Sequence, residues 1–153
     1  MNKPTLLPVL MLAMMFASSC DNPSTYVEKF QDTLQSSFAG GWTKIGKDED
    51  GDTHYVDFNT IKKHEESVYY WRLTDSIKPT EDGDLSSKTY DEVDCGSPRK
   101  YRGLSHLFYR ESMGKGSTSN TINPKEPEWS YPFPDSVSES TLGLVCKAAE
   151  LLP

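Results

Sequence analysis

Ser67-Val68-Tyr69-Tyr70-Trp71-Arg72-Leu73 is the stretch that decides the fold of this chain. β-Branched and aromatic residues fill it, which is typical of a strand inside a sheet. Because successive side chains of a strand point to opposite faces, Tyr69 and Trp71 share one face and Tyr70 lies on the other. The stretch therefore predicts a sheet that carries aromatic rings on both of its faces.

Further strand patterns flank this stretch, and polar segments separate them. Asp48-Glu49-Asp50-Gly51-Asp52 predicts a hairpin turn, Asp75–Leu85 predicts a long polar loop, and a Ser/Thr/Asn/Pro-rich loop is predicted from Gly114 to Pro127. The predicted strands are Trp42–Ile45, Tyr55–Asp57, Lys88–Val93, Tyr101–Arg110 and, as a candidate last strand, Glu128–Phe133. Together these patterns predict a small antiparallel sheet of about five to six strands.

A helix is predicted at the C-terminal end of the chain. Ser136-Val137-Ser138-Glu139 has the form of a capping box, and an apolar stripe at helical spacing follows it. The stripe consists of Leu142, Val145, Cys146, Ala149 and Leu152. This helix can cover one face of the sheet, so the predicted fold class is α+β.

The cover of the second face is less determined. Thr25-Tyr26-Val27-Glu28 is another capping box, and it predicts a helix that Gly40-Gly41 ends. The apolar stripe of that helix consists of Val27, Phe30, Leu34 and Phe38. The N-terminal helix, a second copy of the chain (a homodimer) or a ligand could each cover the second face. We favour cover from within the domain, and the aromatic strand is the first place to look for binding.

The N-terminus has the features of a bacterial lipoprotein signal. Lys3 gives it a positive start, and Leu6–Phe16 is too short to span a membrane, since a spanning helix takes about 20 residues. Ala17-Ser18-Ser19 precedes Cys20, as small residues precede the lipidated cysteine of a lipobox. We predict a signal peptide over residues 1–19 and lipid, including palmitate-like acyl chains, on Cys20. An ordinary secretory signal with a chance cysteine is the alternative.

The residues after Cys20 bear on location. Asp21-Asn22 resembles the signal that retains lipoproteins at the inner membrane of enteric bacteria, and a plain polar linker is an equal alternative. The predicted location is the cell envelope, at the inner membrane facing the periplasm or at the outer membrane. Residues 20–41 are predicted to be a lipidated tether with a helix, and residues 42–153 to be the domain.

Once Cys20 carries lipid, Cys95 and Cys146 remain as a pair. An even pair in an exported chain predicts a disulfide, because the compartment beyond the inner membrane is oxidising. A redox or metal role is the alternative, but the sequence has no C-x-x-C and no histidine at ligand spacing from either cysteine. The predicted disulfide would fasten the C-terminal helix to the sheet.

Composition excludes some partners. The formal charge of −7 disfavours nucleic acid and anionic membrane surfaces. Aromatic residues make up 11% of the chain, which favours a folded, β-rich domain over a disordered tail.

Two patterns that could bind ions are incomplete. Asp48-x-Asp50-x-Asp52 resembles the start of a calcium loop, but Thr53 and Asn59 stand where glycine and glutamate are required. Gly114-Lys115-Gly116 could bind an anion, yet no helix follows it. We interpret the first as a solvated hairpin turn and the second as a flexible turn, and we predict no metal and no cofactor.

No catalytic pattern is complete either. His54, His64 and His106 are far apart in the sequence, and Ser105 and His106 are strand neighbours that point to opposite faces. Nucleophile-elbow, P-loop and dinucleotide motifs do not occur. We therefore predict a protein without enzymatic activity or catalytic residues.

From Trp42 to Cys146 the chain resembles the surface-adhesin protein E-like domain of bacterial lipoproteins. The residues that carry the resemblance are Tyr55-Val56-Asp57 with Thr60-Ile61, Val68–Leu73, Ser87-Lys88, Cys95, Tyr109, Gly114-Lys115-Gly116, Pro134-Asp135-Ser136 and Val145-Cys146. The resemblance implies a small antiparallel sheet packed by the C-terminal helix and stapled by a disulfide at Cys95 and Cys146. It also implies exposure at the cell surface and binding of host matrix and serum proteins.

One stretch departs from the adhesins of that family, in which the segment before the first disulfide cysteine is basic. Here acidic residues outnumber Lys88 in that segment: Asp82, Asp84, Asp91, Glu92 and Asp94. We therefore assign no ligand-binding residues from the resemblance.

The leading hypothesis is a membrane-anchored envelope lipoprotein with a non-enzymatic, adhesin-like domain that binds a host or envelope protein. The alternative is a structural or assembly-accessory lipoprotein of an envelope complex. A carrier of a small ligand on the aromatic strand is a third hypothesis.

The lipid anchor is testable by replacing its attachment atom. Cys20→Ser removes the thiol to which lipid would be attached, so the protein should no longer incorporate labelled palmitate and should leave the detergent phase on phase partition. Ser19→Ala keeps a small residue before the cysteine and serves as the matched control. Equal label in Cys20→Ser and the unmodified chain would contradict the prediction.

Overall fold

Six strands form one antiparallel sheet in the computed structural model, which describes residues 41–152. They are β1 Trp42–Lys47, β2 Thr53–His64, β3 Ser67–Asp75, β4 Ser86–Asp94, β5 Lys100–Tyr109 and β6 Thr118–Ile122. Each strand pairs with its neighbour in the sequence, so the order across the sheet is β1 to β6. Helix α1, Val137–Glu150, follows the sheet, and a short 3-10 helix, Ser112–Gly114, lies between β5 and β6. The predicted α+β class and the C-terminal helix are confirmed.

The segments predicted to export and anchor the chain lie outside the described residues. They are the signal peptide over residues 1–19, the lipidation site Cys20, and the N-terminal helix that ends before Gly40-Gly41. Within residues 41–152, no helix has the length and apolar character needed to cross a membrane.

Strand β3 divides its aromatic side chains between two faces, as the alternation predicts. Val68 and Tyr70 are buried on the side of α1, with 3% and 1% of their surface exposed. They belong to one core cluster: Val56, Phe58, Ile61, Val68, Tyr70, Val93, Leu142, Val145, Cys146, Ala148 and Ala149. Tyr69 and Trp71 point to the opposite face and lie outside this cluster. Helix α1 therefore packs on the Tyr70 face of the sheet.

Strand β2 is longer than predicted. It continues past a bulge, where the Thr60 hydroxyl replaces backbone hydrogen bonds to β3. The register with β3 shifts after Asp57. There Thr60 Oγ1 donates to the Asp57 carbonyl at 2.6 Å and accepts the N–H of Trp71 at 3.0 Å. An unbroken strand would send Phe58 and Ile61 to opposite faces, whereas the bulge brings both into the core.

Helix α1 begins where the capping box predicts. Ser136 is the N-cap, and its Oγ accepts the N–H of Glu139 at 3.1 Å. The Glu139 carboxylate in turn accepts the N–H of Asp135 at 2.8 Å. These reciprocal bonds fix the first turn, and Val137 packs there against Gly46 of β1, with Cγ2 3.5 Å from the place a Cβ would take.

Cys95 and Cys146 form the predicted disulfide, with their Cα atoms 5.7 Å apart. Cys95 directly follows β4, and Cys146 lies on the buried side of α1. The bridge spans 51 residues of sequence. In the chain-entropy picture a loop of this length stabilises the fold by about 4 kcal/mol. The disulfide therefore joins the helix covalently to the sheet that it covers.

The sixth strand lies where a loop was predicted. All five residues of β6 are exposed, so burial gives its sequence no alternating apolar pattern. Pairing with β5 and a hydrogen bond from Ser119 Oγ to the buried Asp84 hold it in place. The prediction of a strand over Glu128–Phe133 was wrong. That segment contributes a single bridge, between Ser130 and Tyr101 of β5.

The disulfide should account for a large share of the stability. In Cys95→Ser/Cys146→Ser the unfolded chain gains freedom, and we expect the free energy of unfolding to fall by about 2 to 5 kcal/mol. Urea unfolding of the non-lipidated Cys20→Ser chain measures this difference. The folded Cys20→Ser chain should also react with a thiol reagent after reduction and not before. Equal labelling in both conditions would contradict the bridge.

Candidate functional site

The face of the sheet opposite α1 carries a row of aromatic rings. Trp42, Asp57, Trp71 and Tyr90 stand directly opposite one another on β1 to β4. The ring centroids of Trp71 and Tyr90 are 5.1 Å apart, and those of Tyr69 and Tyr90 are 6.1 Å apart. Both distances lie in the range in which aromatic pairs attract beyond simple burial. We call this surface, defined by Trp42, Tyr69, Trp71 and Tyr90, the aromatic face.

Lys88 is a cation fixed among these rings. Its Nζ lies 5.7 Å from the ring centroid of Trp42 and 4.8 Å from that of Tyr109, and it donates to the Gly114 carbonyl at 2.9 Å. Lys88 is on β4 and Trp42 on β1, so the two side chains together reach across β2 and β3. Leu73, opposite Lys88 on β3, is fully buried. The contact thus closes one end of the face, and cation–π attraction stabilises it.

Gly114 is required for this closure. It adopts a φ of +63°, and a Cβ there would lie 2.1 Å from Lys88 Cε. The turn is tied to the sheet by two more bonds, from the Met113 N–H to Asp75 at 2.6 Å and from the Gly114 N–H to Ser86 at 2.9 Å. The glycine therefore lets the turn lie directly on the lysine stem.

Glu92 organises the other end of the aromatic face. Its Oε2 accepts from Arg102 at 2.7 Å, and its Oε1 accepts the hydroxyls of Ser67 at 2.9 Å and Tyr69 at 3.1 Å. The Arg102 guanidinium lies 4.4 Å from the ring centroid of Trp129, which covers this end. Both Glu92 oxygens are thus committed to partners, and the Tyr69 ring is held in one orientation.

The same contacts shift two pKa values. Burial raises the pKa of Glu92, but the hydrogen bonds from Arg102, Ser67 and Tyr69 and the charge of Arg102 outweigh it, so the net pKa is lowered. The pKa of Tyr69 is raised by burial and by the neighbouring Glu92 carboxylate. At neutral pH the network therefore consists of an ionised Glu92 and a protonated Tyr69.

Between these two ends the rings remain partly exposed. Within residues 41–152, the 3-10 turn covers the Leu73 end and Trp129 covers the Arg102 end. Trp42, Tyr69, Trp71 and Tyr90 are all of intermediate exposure. Helix α1 makes its main contacts with β1, β2 and β3 and covers the other side. The aromatic face is therefore an ordered apolar surface with a polar rim, which suits binding.

The acidic stretch before Cys95 serves the fold. Asp91 is completely buried on the α1 side of the sheet, and Arg72 Nε donates to its Oδ2. Burial lowers the pKa of Arg72, but the charge of Asp91, the neighbouring Tyr70 and the hydrogen bond to Asp91 together outweigh burial and raise the pKa overall. Asp94 accepts the N–H of Gly96 at 2.9 Å and lies 3.4 Å from Lys100. With Glu92 bound to Arg102, three of the acids are paired within the domain.

His54 takes part in a chain of polar contacts beside a very small cavity. Its Nε2 is 2.8 Å from Asp48 Oδ2, and its Nδ1 is 3.2 Å from Thr74 Oγ1. A hydroxyl, an imidazole and a carboxylate in series are the parts of a nucleophilic site. The cavity that His54 lines measures about 20 Å³, which admits about one water molecule. We interpret the chain of contacts as structural.

The other histidines stand apart from His54. His64 is exposed at the end of β2. His106 packs over Gly103, where a Cβ would lie 2.5 Å from the ring, and its Nδ1 is 3.3 Å from Thr89 Oγ1. Burial and the nearby charge of Arg72 lower the pKa of His106. Its ring is thus held neutral against the sheet.

The predicted hairpin turn between β1 and β2 uses its carboxylates internally. Asp48 Oδ1 accepts the N–H of Asp52 at 3.0 Å. Asp52 accepts the Ser76 hydroxyl at 2.7 Å and the N–H of Ile77 at 3.0 Å. These bonds tie the turn to the loop after β3. Asp48 and Asp52, which resemble the start of a calcium loop, therefore accept hydrogen bonds that hold the turn. Within residues 41–152, no group of acidic, histidine and cysteine side chains has the arrangement of a metal site.

Side chains of the domain itself pack against Gly114-Lys115-Gly116. The Gly114 carbonyl accepts from Lys88, and a Cβ on Gly116 would lie 2.3 Å from the Glu111 carboxylate. A carboxylate that close to Gly116 would repel a second anion. The segment acts as the turn that carries the 3-10 helix onto the sheet.

Sequence reasoning identified Tyr69 and Trp71 but missed their partners. Lys88 and Tyr90 are spaced by two residues on β4, a signal that could have placed them on one face. That spacing does not predict the register between β3 and β4, which places Tyr90 opposite Trp71. Trp42 could not be placed on the face at all, because its ring reaches there from an edge strand.

Known proteins share the fold that carries the aromatic face. Residues 42–147 match the family described as Surface-adhesin protein E. Crystal form II of protein E from Haemophilus influenzae aligns with a TM-score of 0.52 and 17% identity, over 71% of this chain and 88% of that chain. A selenomethionine form of the same protein gives 0.51 and 17%, over 71% and 87% of the two chains. No curated protein sequence matches significantly. At this identity the structural likeness shows a shared fold.

The Glu92 network makes stability depend on pH. Because the folded pKa of Glu92 is lowered from its ordinary value of 4.5, its contribution is present above pH 4.5 and is lost as pH falls below that value. Glu92→Gln should lower the free energy of unfolding at pH 7 by about 1 kcal/mol or more. It should also flatten the loss of stability below pH 4.5.

Urea unfolding across pH 3 to 7 measures both effects. Glu66→Gln, at an exposed position between β2 and β3, is the matched control and should follow the unmodified chain. Parallel pH curves for Glu92→Gln and the unmodified chain would refute the role given to the network.

Proposed function

The chain belongs to the surface-adhesin protein E family, and from that premise we propose that it is an adhesin-like envelope lipoprotein that binds a protein partner through its aromatic face. The family match runs from the first residue of β1 almost to the end of α1. It therefore includes every strand that builds the aromatic face. Lipid on Cys20 would hold this domain at the membrane, with residues 20–41 as the connection.

The observation that carries the proposal is the partial exposure of four ordered rings on one face. Tryptophan, tyrosine and arginine dominate the energetic centres of protein interfaces because they bury large area at low entropic cost. Here Trp71 and Tyr90 are in contact, and Glu92 holds Tyr69 by a hydrogen bond. These side chains therefore lose little conformational freedom when a partner binds. A preordered surface of this kind loses less free energy on binding.

Charge supports the same surface. The chain is acidic overall, but Asp91, Glu92 and Asp94 are paired internally. Lys62 stands opposite Tyr69 on the same face and is exposed. The proposed partner therefore meets apolar rings with a rim that includes a lysine, and the acidic stretch of the sequence does not form the contact surface. The proposed role involves binding and no catalysis.

Loss of a central ring should weaken binding. Trp71→Ala removes the ring at the centre of the face, and we expect the affinity to fall by roughly 2 kcal/mol, about thirty-fold. The measurement is binding of the non-lipidated chain to purified extracellular-matrix and serum proteins immobilised as a panel. Phe133→Ala, which removes an 82% exposed ring before α1, is the matched control and should bind normally.

Two further arms keep the outcome interpretable. Lys62→Glu reverses an exposed charge beside Tyr69 and should weaken binding without lowering the melting temperature, whereas Trp71→Ala must be compared at equal folded fraction. Protease added to intact cells should remove the domain if its partner is a host protein. Protection in intact cells with loss after lysis would overturn host binding and favour the envelope-accessory role. Unchanged binding in both face variants would overturn the site.

A further inference from the structure

Asp57 is a carboxylate set among the rings of the aromatic face. It is directly paired with Trp42 on β1 and with Trp71 on β3, and directly paired residues of an antiparallel sheet have Cα atoms about 5 Å apart. Its neighbours Val56 and Phe58 are buried in the core under α1. Because the side chains of a strand alternate, the Asp57 side chain lies on the opposite face, between the two tryptophans.

The carboxylate of Asp57 keeps one oxygen available. Its Oδ1 accepts the N–H of Asn59 at 3.1 Å, whereas no hydrogen bond within residues 41–152 reaches Oδ2. No ion pair in that part of the chain includes Asp57. Asp57 is partly exposed, and so are Trp42 and Trp71. A negative charge and two indole rings can therefore be reached from solvent at one place.

The domain already holds an arginine of its own with the same kinds of group. Arg102 donates to the Glu92 carboxylate at 2.7 Å, and its guanidinium lies 4.4 Å from the ring centroid of Trp129. A carboxylate and an indole ring thus bind one guanidinium together, through a charge-assisted hydrogen bond and cation–π attraction. Asp57 offers the same combination, with a tryptophan on each side.

Lysines stand on both sides of the Asp57 position. Lys44 is two residues from Trp42 on β1, and Lys62 stands opposite Tyr69 on β3. Both side chains are exposed and lie on the aromatic face. A partner that brings a positive group to Asp57 therefore meets a positive charge on either side of it. Complementarity then requires acidic groups beside the positive one.

We propose that Asp57, Trp42 and Trp71 form a subsite for one arginine side chain of the protein partner. Acidic side chains of that partner lie beside the arginine, on Lys44 and Lys62. The subsite deepens the function proposed above and rests on it for the existence of the partner. The guanidinium donates to Asp57 Oδ2 while it packs against an indole ring. Arginine is preferred to lysine, because its guanidinium is planar, more weakly hydrated and able to stack on aromatic faces.

The test titrates the non-lipidated Cys20→Ser chain with an acetylated, amidated peptide that has one arginine between two glutamates. The peptide has a net negative charge, so bulk attraction to the acidic chain cannot mimic binding. Indole N–H signals of Trp42 and Trp71, assigned by Trp→Phe variants, report binding at the subsite. Asp57→Asn keeps an acceptor for the N–H of Asn59 and removes the charge. It should weaken peptide binding about ten-fold.

A second peptide tests the charge without altering the protein. It carries citrulline, which is neutral and has nearly the shape of arginine, and it should bind the unmodified chain about ten-fold more weakly. This comparison does not depend on the folding of any variant. Equal binding of the two peptides would overturn the inference, as would titrations in which neither indole signal moves.

Asp82→Asn is the matched control for Asp57→Asn. It removes a carboxylate from an exposed position in the loop between β3 and β4, and it should leave the peptide affinity unchanged. Equal weakening by the two variants would mean that the peptide responds to the overall charge of the chain, and the subsite would fail.

The panel of partner proteins separates this inference from the proposed function. If Trp71→Ala loses binding to the panel while Asp57→Asn keeps it, the partner site stands and the arginine subsite fails. If Asp57→Asn loses the peptide while Trp71→Ala still binds the panel normally, the arginine subsite stands and the proposed partner site fails.

Discussion

The pleat of β3 is the constraint on which the rest of the structure depends. Its central strand position and alternating side chains put Tyr70 on one face and Tyr69 with Trp71 on the other. A sheet that carries large rings on both faces needs cover on both of them, or a partner for the uncovered face. Helix α1 covers the Tyr70 side, and the Cys95–Cys146 bridge holds it there. The organisation of the aromatic face is a consequence of that arrangement.

The charged residues complete the two faces in different ways. On the α1 side, the fully buried Asp91 pairs with the partly exposed Arg72, and loss of the arginine would leave an uncompensated buried charge. On the aromatic face, Glu92 and Lys88 sit at opposite ends and orient the rings between them. Asp91, Glu92 and Asp94 of the acidic stretch are therefore paired within the domain. A partner would meet the rings in its place.

The likeness to protein E is a likeness of fold, and the side chains on the aromatic face are particular to this chain's sequence. At 17% identity the two proteins share the fold, and the composition of the exposed face can differ freely. The family membership supports an adhesin-like role, and we propose the ordered rings as its binding surface.

The sequence by itself determined the elements whose burial pattern is periodic. The alternation of Val68 to Leu73, the capping box at Ser136 and the cysteine pair predicted β3, α1 and the disulfide, because burial on one side leaves a period of 2 or 3.6 in the residues. It could not determine β6, whose residues are all exposed, or the Thr60 bulge that lengthens β2. The sequence also could not determine which side chains contact the rings. Register sets Tyr90 beside Trp71, and Trp42 and Lys88 meet across two intervening strands. Only the tertiary structure decided these contacts, because they depend on distances between strands that no local pattern records.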